Sequence, residues 1–148
     1  LKFRQEIIFK NKKLLIINDS KSTSFASTIN LLKSYKNIYW IVGGKFKRGD
    51  KFLLNNKYYN NIKAYIFGTK NFFFINQFKK KITYKVFLNI KKALLSVIYD
   101  IKKDNFSKKI ILFSPSAASF DQFKNFEERG KYFNYQIKTL QLIKKING

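Results

Sequence analysis

The chain has no cysteine, no histidine and no methionine, and only one proline among its 148 residues. Without cysteine there is no disulfide and no thiol nucleophile, and without cysteine or histidine the usual nitrogen- and sulfur-ligated metal sites cannot be built. The missing histidine also removes the commonest general base near neutral pH. No run of about 18 apolar residues occurs and no signal-peptide pattern opens the chain, so it reads as soluble and not exported. No Gly-x-x-x-x-Gly-Lys-[Ser/Thr] phosphate loop is present either. A sequence opening Leu1-Lys2-Phe3 without an initiator reads as a piece of a longer protein. Carboxylates are scarce, 8 against 31 Lys and Arg, which leaves a formal net charge of +23.

What remains is apolar and aromatic. Hydrophobic residues make up 45%, with 17 Phe and 9 Tyr. That is enough for one packed domain at this length and argues against disorder. The positive charge first suggests a nucleic-acid binder. Yet the lysines are spread along the whole chain together with abundant Asn, Ile and Tyr, the mark of a general compositional bias. A dedicated patch would cluster Arg and Gly, or interleave aromatics on one strand face. Nucleic acid is therefore the unfavoured partner, while a general attraction for anionic small molecules survives.

Hydrophobic periodicity divides the chain. Leu1 to Glu6 is polar and irregular and reads as a linker. Strands are expected at Lys13–Ile17, Ile38–Val42, Ala64–Phe67 and Ile110–Phe113, with a weaker one at Lys81–Val86. Helical spacing follows at Phe25, Ile29 and Leu32, in a short helix within residues 69–81, and from Phe87 to Ile101. A final helix over about Gln122–Lys145 carries Phe123, Phe126, Phe133, Ile137, Leu140 and Ile143 on one face. The block Phe72-Phe73-Phe74-Ile75 reads as core. Strands alternating with helices predict an α/β fold with a parallel sheet.

Three loops follow strand ends, at Asn18–Thr23, Gly43–Asp50 and Ser114–Phe126. Open α/β sheets bind ligands at that edge. The third loop is the most informative: Pro115 ends the strand, Ser116, Ala117, Ala118 and Ser119 are small enough to let a ligand approach the backbone, and Asp121 opens the helical pattern. Free N–H groups and the helix dipole make such a junction an anion site. An ordinary strand-to-helix turn fits the same pattern. Likewise Asn18–Thr23 reads as an N-cap cluster, except that Lys21 at a helix start is unfavourable unless an anion lies nearby. Six of the eight carboxylates (Glu6, Asp19, Asp50, Asp121, Glu127, Glu128) lie in these loops, in the start of the last helix or in the leading segment.

These residues carry a family resemblance. Asn18-Asp19-Ser20-Lys21, Gly43-Gly44 with Lys47 and Asp50 behind it, and Ser114-Pro-Ser-Ala-Ala-Ser-Phe-Asp-Gln-Phe-Lys-Asn-Phe-Glu-Glu-Arg-Gly130 resemble the C-terminal domain of the Mur ligases. The long third motif points to the branch that adds D-glutamate. Leu1-Lys2-Phe3-Arg4-Gln5-Glu6 is similar to the family's Leu-Pro-His-Arg-x-Glu hinge, with Lys2 and Phe3 in place of Pro and His. The resemblance implies a Rossmann-like three-layer α/β domain, a mostly parallel sheet with helices on both faces. Residues 1–5 would be a hinge from a central ATPase domain, and 6–148 the amino-acid-binding domain.

The resemblance also implies chemistry: ATP-dependent addition of D-glutamate to UDP-N-acetylmuramoyl-L-alanine through an acyl phosphate, in peptidoglycan synthesis in the bacterial cytoplasm. By analogy Lys47, Thr23, Ser119, Phe120 and Phe126 contact D-glutamate, Arg4 and Asp19 reach the nucleotide, and Lys21 lies near the transferring phosphate. From the residues themselves, Phe126 equally fits the core face of its helix and Thr23 a cap. ATP and Mg2+ would be held mainly by the central domain, with the uridine nucleotide on an N-terminal one, so no metal ligand is expected here and the isolated domain should be inactive. Another amide ligase of the superfamily, whether another Mur ligase or a folylpolyglutamate synthase, and a basic nucleic-acid module are the alternatives.

Overall fold

Short runs rich in Ile, Leu and aromatic residues, each closed by turn residues, become the strands of one sheet. The computed structural model describes residues 1–120 and 122–147. In chain order its elements are β1 Glu6–Lys10, β2 Leu14–Asn18, α1 Ala26–Ser34, β3 Ile38–Gly43, β4 Ile62–Phe67, α2 Phe72–Phe78, β5 Thr83–Phe87, α3 Ile90–Lys103, β6 Lys109–Phe113, α4 Phe126–Thr139 and α5 Leu142–Asn147. A single 3₁₀ segment, Asn56–Asn61, leads into β4. The strand order is β1-β2-β6-β3-β4-β5. β1 runs antiparallel to β2, and every other pairing is parallel.

The pleat sorts the strand side chains into two cores. Leu15, Ile17, Trp40, Val42, Ala64, Ile66, Ile110 and Leu112 face a layer with Leu31 and Leu32 of α1 and Phe74 and Phe78 of α2. Leu14, Ile16, Tyr39, Ile41, Tyr65, Phe67, Ile111 and Phe113 face the other, against Leu94 and Val97 of α3, Phe133 of α4 and Leu142 of α5. Aromatic contacts bind both layers. Phe25, Phe52 and Phe78 pack edge-on with centroids 5.1–5.8 Å apart, and Phe113 stacks on Phe133 at 4.3 Å. Side chains buried on both faces explain why the central strands read as unbroken apolar runs.

The expected strands all form, and the mostly parallel three-layer architecture is as read. Four local expectations are corrected. No strand was expected at 6–10, where β1 pairs with β2 through a bulge between Ile7 and Phe9. The last helix does not start at Gln122: Asn125 is its cap, its side chain accepting the Glu128 N–H at 2.8 Å, so α4 begins at Phe126. It does not run through to Lys145 either, because Gln141 adopts a φ of 50° and breaks it into α4 and α5. Finally, Phe72 is exposed although Phe74 beside it is fully buried. The expectation that Asp121 opens a helix lies outside the described residues.

Candidate functional site

β2, β6 and β3 are neighbours in the sheet and point the same way, so the three loops meet at one edge. Backbone hydrogen bonds lock them together. The Asp19 N–H donates to the Phe113 carbonyl at 2.7 Å and the Gly43 N–H to the Pro115 carbonyl at 3.1 Å. Lys45 and Ala118 exchange N–H···O bonds of 2.9 Å in both directions. Gly43 is required at its position. A Cβ there would lie 2.2 Å from the Phe67 carbonyl oxygen.

A cleft of about 390 Å³ opens at this edge, lined by Arg4, Gln5, Asp19, Lys21, Ser22, Thr23 and Ser27. Asp19 forms its floor and is almost fully buried. Its Oδ2 accepts the Ser114 hydroxyl at 2.7 Å and its Oδ1 the Gln5 N–H at 3.0 Å. Burial raises the carboxyl's pKa above its ordinary value, against the opposing pull of Ser114, Gln5, Arg4 and Arg129. Lys21 is exposed, with Nζ 5.1 Å from the centroid of the Phe126 ring.

The structure thus gathers Arg4, Asp19, Lys21 and Thr23 in one cleft, with Phe126 beside it. Phe126 is half-buried at the first turn of α4 and belongs to neither core. Thr23 is exposed and is not the cap of α1. The Phe25 N–H at that helix start is taken by Asp50 Oδ2 at 3.0 Å, from the next loop. Phe120 lines a second cleft of about 420 Å³ with Gly44, Lys45, Phe46 and Lys70. Neither cleft is lined by Lys47, which stands on the exposed stretch after Gly43-Gly44, or by Ser119, which is buried and accepts the Gln122 and Phe123 N–H groups at its carbonyl.

Two groups of residues went unassigned from sequence. Arg129 is a fully buried guanidinium on α4. It donates to the Ser20 carbonyl at 2.5 Å, the Ala117 carbonyl at 2.8 Å and the Ser20 hydroxyl at 3.1 Å, clamping the β2 loop to the β6 loop. It lies inside the motif that carried the resemblance, and that position was its only signal. The other is Phe3 in the hinge segment, read from sequence only as a departure from the family motif. Phe3 is buried, its ring fills the space that a Cβ on Gly130 would need (2.4 Å), and its carbonyl accepts the Lys21 N–H at 2.8 Å. An aromatic at position 3 held against a glycine of α4 is what places Arg4 over the cleft. Among the described residues no group of three or more Asp or Glu side chains could hold a metal ion.

A three-layer domain with its loops gathered at the carboxyl edge of a parallel sheet is a doubly wound α/β fold, and it is shared with a Mur ligase. A crystal structure of MurF ligase from Thermotoga maritima in complex with ADP superposes with a TM-score of 0.54 over 98% of this chain and 32% of that one, at 14% identity. No protein-family model matches the chain. In sequence it is 39% identical over 141 residues (95% of its length) to UDP-N-acetylmuramoylalanine–D-glutamate ligase of Wolbachia sp. subsp. Brugia malayi. It is 33% identical over all 148 residues to the same ligase of Mesorhizobium japonicum, and 34% to that of Rickettsia conorii. The resemblance read from the motifs is therefore to the D-glutamate ligases. The chain spans 28–32% of the length of these relatives. Among the described residues no helix is long and apolar enough to cross a membrane.

Proposed function

We propose that this chain is the C-terminal, amino-acid-binding domain of a ligase that joins D-glutamate to UDP-N-acetylmuramoyl-L-alanine in peptidoglycan synthesis. The observation that carries the reading is the match of nearly the whole chain, at 33–39% identity, to ligases named for that substrate. The geometry agrees with it. Every partner of the reaction is anionic, and the site edge offers Arg4, Lys21, Lys45, Lys47 and Lys70 beside small-residue loops. The L-alanyl carboxylate is first phosphorylated, forming a P–O bond as the β–γ bond of ATP breaks. The D-glutamate amine then attacks the carbonyl carbon, and phosphate leaves from the tetrahedral intermediate as the amide forms.

In this reading Arg4 and Asp19 hold the nucleotide, and Lys21 sits by the phosphoryl group, where its charge offsets that of the transition state. Lys47 pairs with a D-glutamate carboxylate, and Thr23, Ser119, Phe120 and Phe126 complete that pocket. Since Lys47 and Phe120 stand apart from the Asp19 cleft here, the amino-acid site is completed when the domain closes on the rest of the enzyme. Residues 1–5 link to a central domain that holds most of the ATP and Mg2+ contacts, residues 6–148 form the domain, and the enzyme works in the bacterial cytoplasm with neither membrane nor nucleic acid as partner.

The test is phosphate release by the full-length enzyme with ATP, Mg2+ and UDP-N-acetylmuramoyl-L-alanine. D-glutamate, L-lysine or meso-diaminopimelate is added in turn. Release should depend on D-glutamate, fall at least 100-fold in Lys47→Ala (roughly the loss of a charge-assisted pair in the transition state), and be absent from residues 1–148 alone. Release with another amino acid instead would discard the substrate and keep the superfamily.

A further inference from the structure

We propose that Thr28, a residue of α1 that lines neither cleft, is a positioning residue for nucleotide binding: its hydroxyl orders Ser114, and Ser114 holds the Asp19 carboxylate toward the cleft. The inference rests on the assignment of Asp19 to the nucleotide and extends it to groups that touch no ligand.

Thr28 is fully buried, and three hydroxyls converge on its Oγ1: Ser114 at 2.6 Å, Ser116 at 2.6 Å and Ser22 at 2.9 Å. Each hydroxyl has one proton and two lone pairs, so the direction of the chain follows from its end. An ionised Asp19 only accepts, and the Ser114 proton is therefore directed to Oδ2. Ser114 must then accept from Thr28, and Thr28, its proton committed, accepts from Ser22 and shares the Ser116 proton with the Ser114 carbonyl, 3.2 Å from Ser116 Oγ. Ser22 in turn accepts the Ser116 N–H at 3.1 Å. Ser116 needs that hold. Its φ of 58° is a left-handed conformation that a residue with a Cβ adopts at a cost, and the network fixes it beneath the cleft.

The consequence lies at Asp19. Two of the carboxylate's roughly four acceptor positions are taken by Ser114 and the Gln5 N–H. The others remain for donors entering the cleft, the chemistry of a nucleotide's sugar hydroxyls. Arg4 and Arg129 are the charges that act on this carboxylate. The Ser114 hydroxyl on Oδ2 and the Gln5 amide on Oδ1 hold its rotamer from both oxygens. A carboxylate aimed in advance binds without losing that freedom on association.

Thr28→Val keeps the shape and removes only the hydroxyl. Thr28→Ser keeps the hydroxyl. Ser114→Ala removes the next link without touching α1. In the full-length enzyme, ATP dissociation constants and steady-state kinetics would be measured for each, with thermal melts alongside. Thr28→Val and Ser114→Ala should each weaken ATP about five- to tenfold, the loss of one hydrogen bond's orientation. kcat at saturating ATP should stay within about twofold, and Thr28→Ser should restore wild-type affinity. A Thr28→Val enzyme that binds ATP like wild type overturns the role, and so does a Thr28→Ser enzyme as impaired as Thr28→Val, which would reduce Thr28 to packing. An Asp19→Ala enzyme that binds ATP like wild type would instead overturn the nucleotide assignment of Asp19 beneath it. Because ATP binding needs no D-glutamate, neither result is confused with an error in the amino-acid substrate.

Discussion

Asp19 and Asp100 are both buried, but the donors around them differ in kind. Asp19, at the carboxyl edge, is solvated by a serine hydroxyl and a backbone amide. Asp100, on α3, accepts the Tyr65 hydroxyl at 2.6 Å and the Lys85 ammonium at 2.9 Å. Beside it Asp104 receives Tyr39 at 2.5 Å and Lys63 at 3.2 Å. Burial lifts the Asp19 pKa and its donors do not compensate. At Asp100 burial pushes the same way, but Tyr65 and Lys85 outweigh it and the pKa is lowered. Burial and their aspartate neighbours raise both tyrosines. One aspartate is joined to a cation and ties α3 to β4 and β5. The other is left with acceptor positions unused and its charge undercompensated, which weakens the fold and suits a ligand.

The largest effect that separates the two regions should come from their cations. Arg129→Met takes a donor from the buried carbonyls of Ser20, Ala117 and Ser22 and from the Ser20 hydroxyl, for a loss of about 3 kcal/mol or more. Lys85→Met removes a half-exposed ammonium that can retreat into water, and should cost about 1 kcal/mol or less. Urea unfolding of the two variants checks the ratio. Equal losses would mean that Arg129 does not clamp the loops.

Much of this was open to reading in the sequence. The buried strands were visible because parallel strands covered on both faces leave no alternation to misread, as in Leu14-Leu15-Ile16-Ile17. The site edge was visible because its loops carry polar motifs in a set order. β1 was not, since Ile7, Ile8 and Phe9 are only partly buried and a bulge spoils the alternation of an edge strand. The start of α4 was missed because the apolar Phe123 extends the helical spacing one turn beyond the true cap, Asn125. Arg129 and Thr28 escaped for a different reason. Their roles depend on partners in other elements, 6 to 109 positions away, and no periodicity encodes those.

A middle-sized effect should follow from neutralising each aspartate. Asp100→Asn gives up the charge that Lys85 and Tyr65 address, and should lose about 1–2 kcal/mol at neutral pH. Asp19→Asn is expected to stay within about 0.5 kcal/mol of wild type, because removing a desolvated charge offsets the altered hydrogen bond to Ser114. The same change should weaken ATP binding at least tenfold in the full-length enzyme. Chemical unfolding and ATP titration of both variants give the comparison. A destabilised Asp19→Asn that still binds nucleotide would invert the assignment of roles.

The smallest effect is the most discriminating, since its sign differs between the two sites. Asp100 has a folded pKa below its ordinary value of 3.8. Its contribution to stability is therefore present above that value and is lost as pH falls through the folded pKa. The deficit of Asp100→Asn should shrink on acidification, because wild type then carries a neutral carboxyl too. Asp19 has a folded pKa above 3.8, so between 3.8 and that raised value the folded state binds the extra proton. Wild type should lose stability there as pH rises, and Asp19→Asn should gain on it over the same interval. Below 3.8 the two should converge. Urea midpoints from pH 7 to pH 3, taken in added salt to screen the +23 charge, would resolve the two slopes. Parallel slopes would mean that Asp19 finds a compensating cation, and the contrast between an aspartate held for the fold and one held for a ligand would be lost.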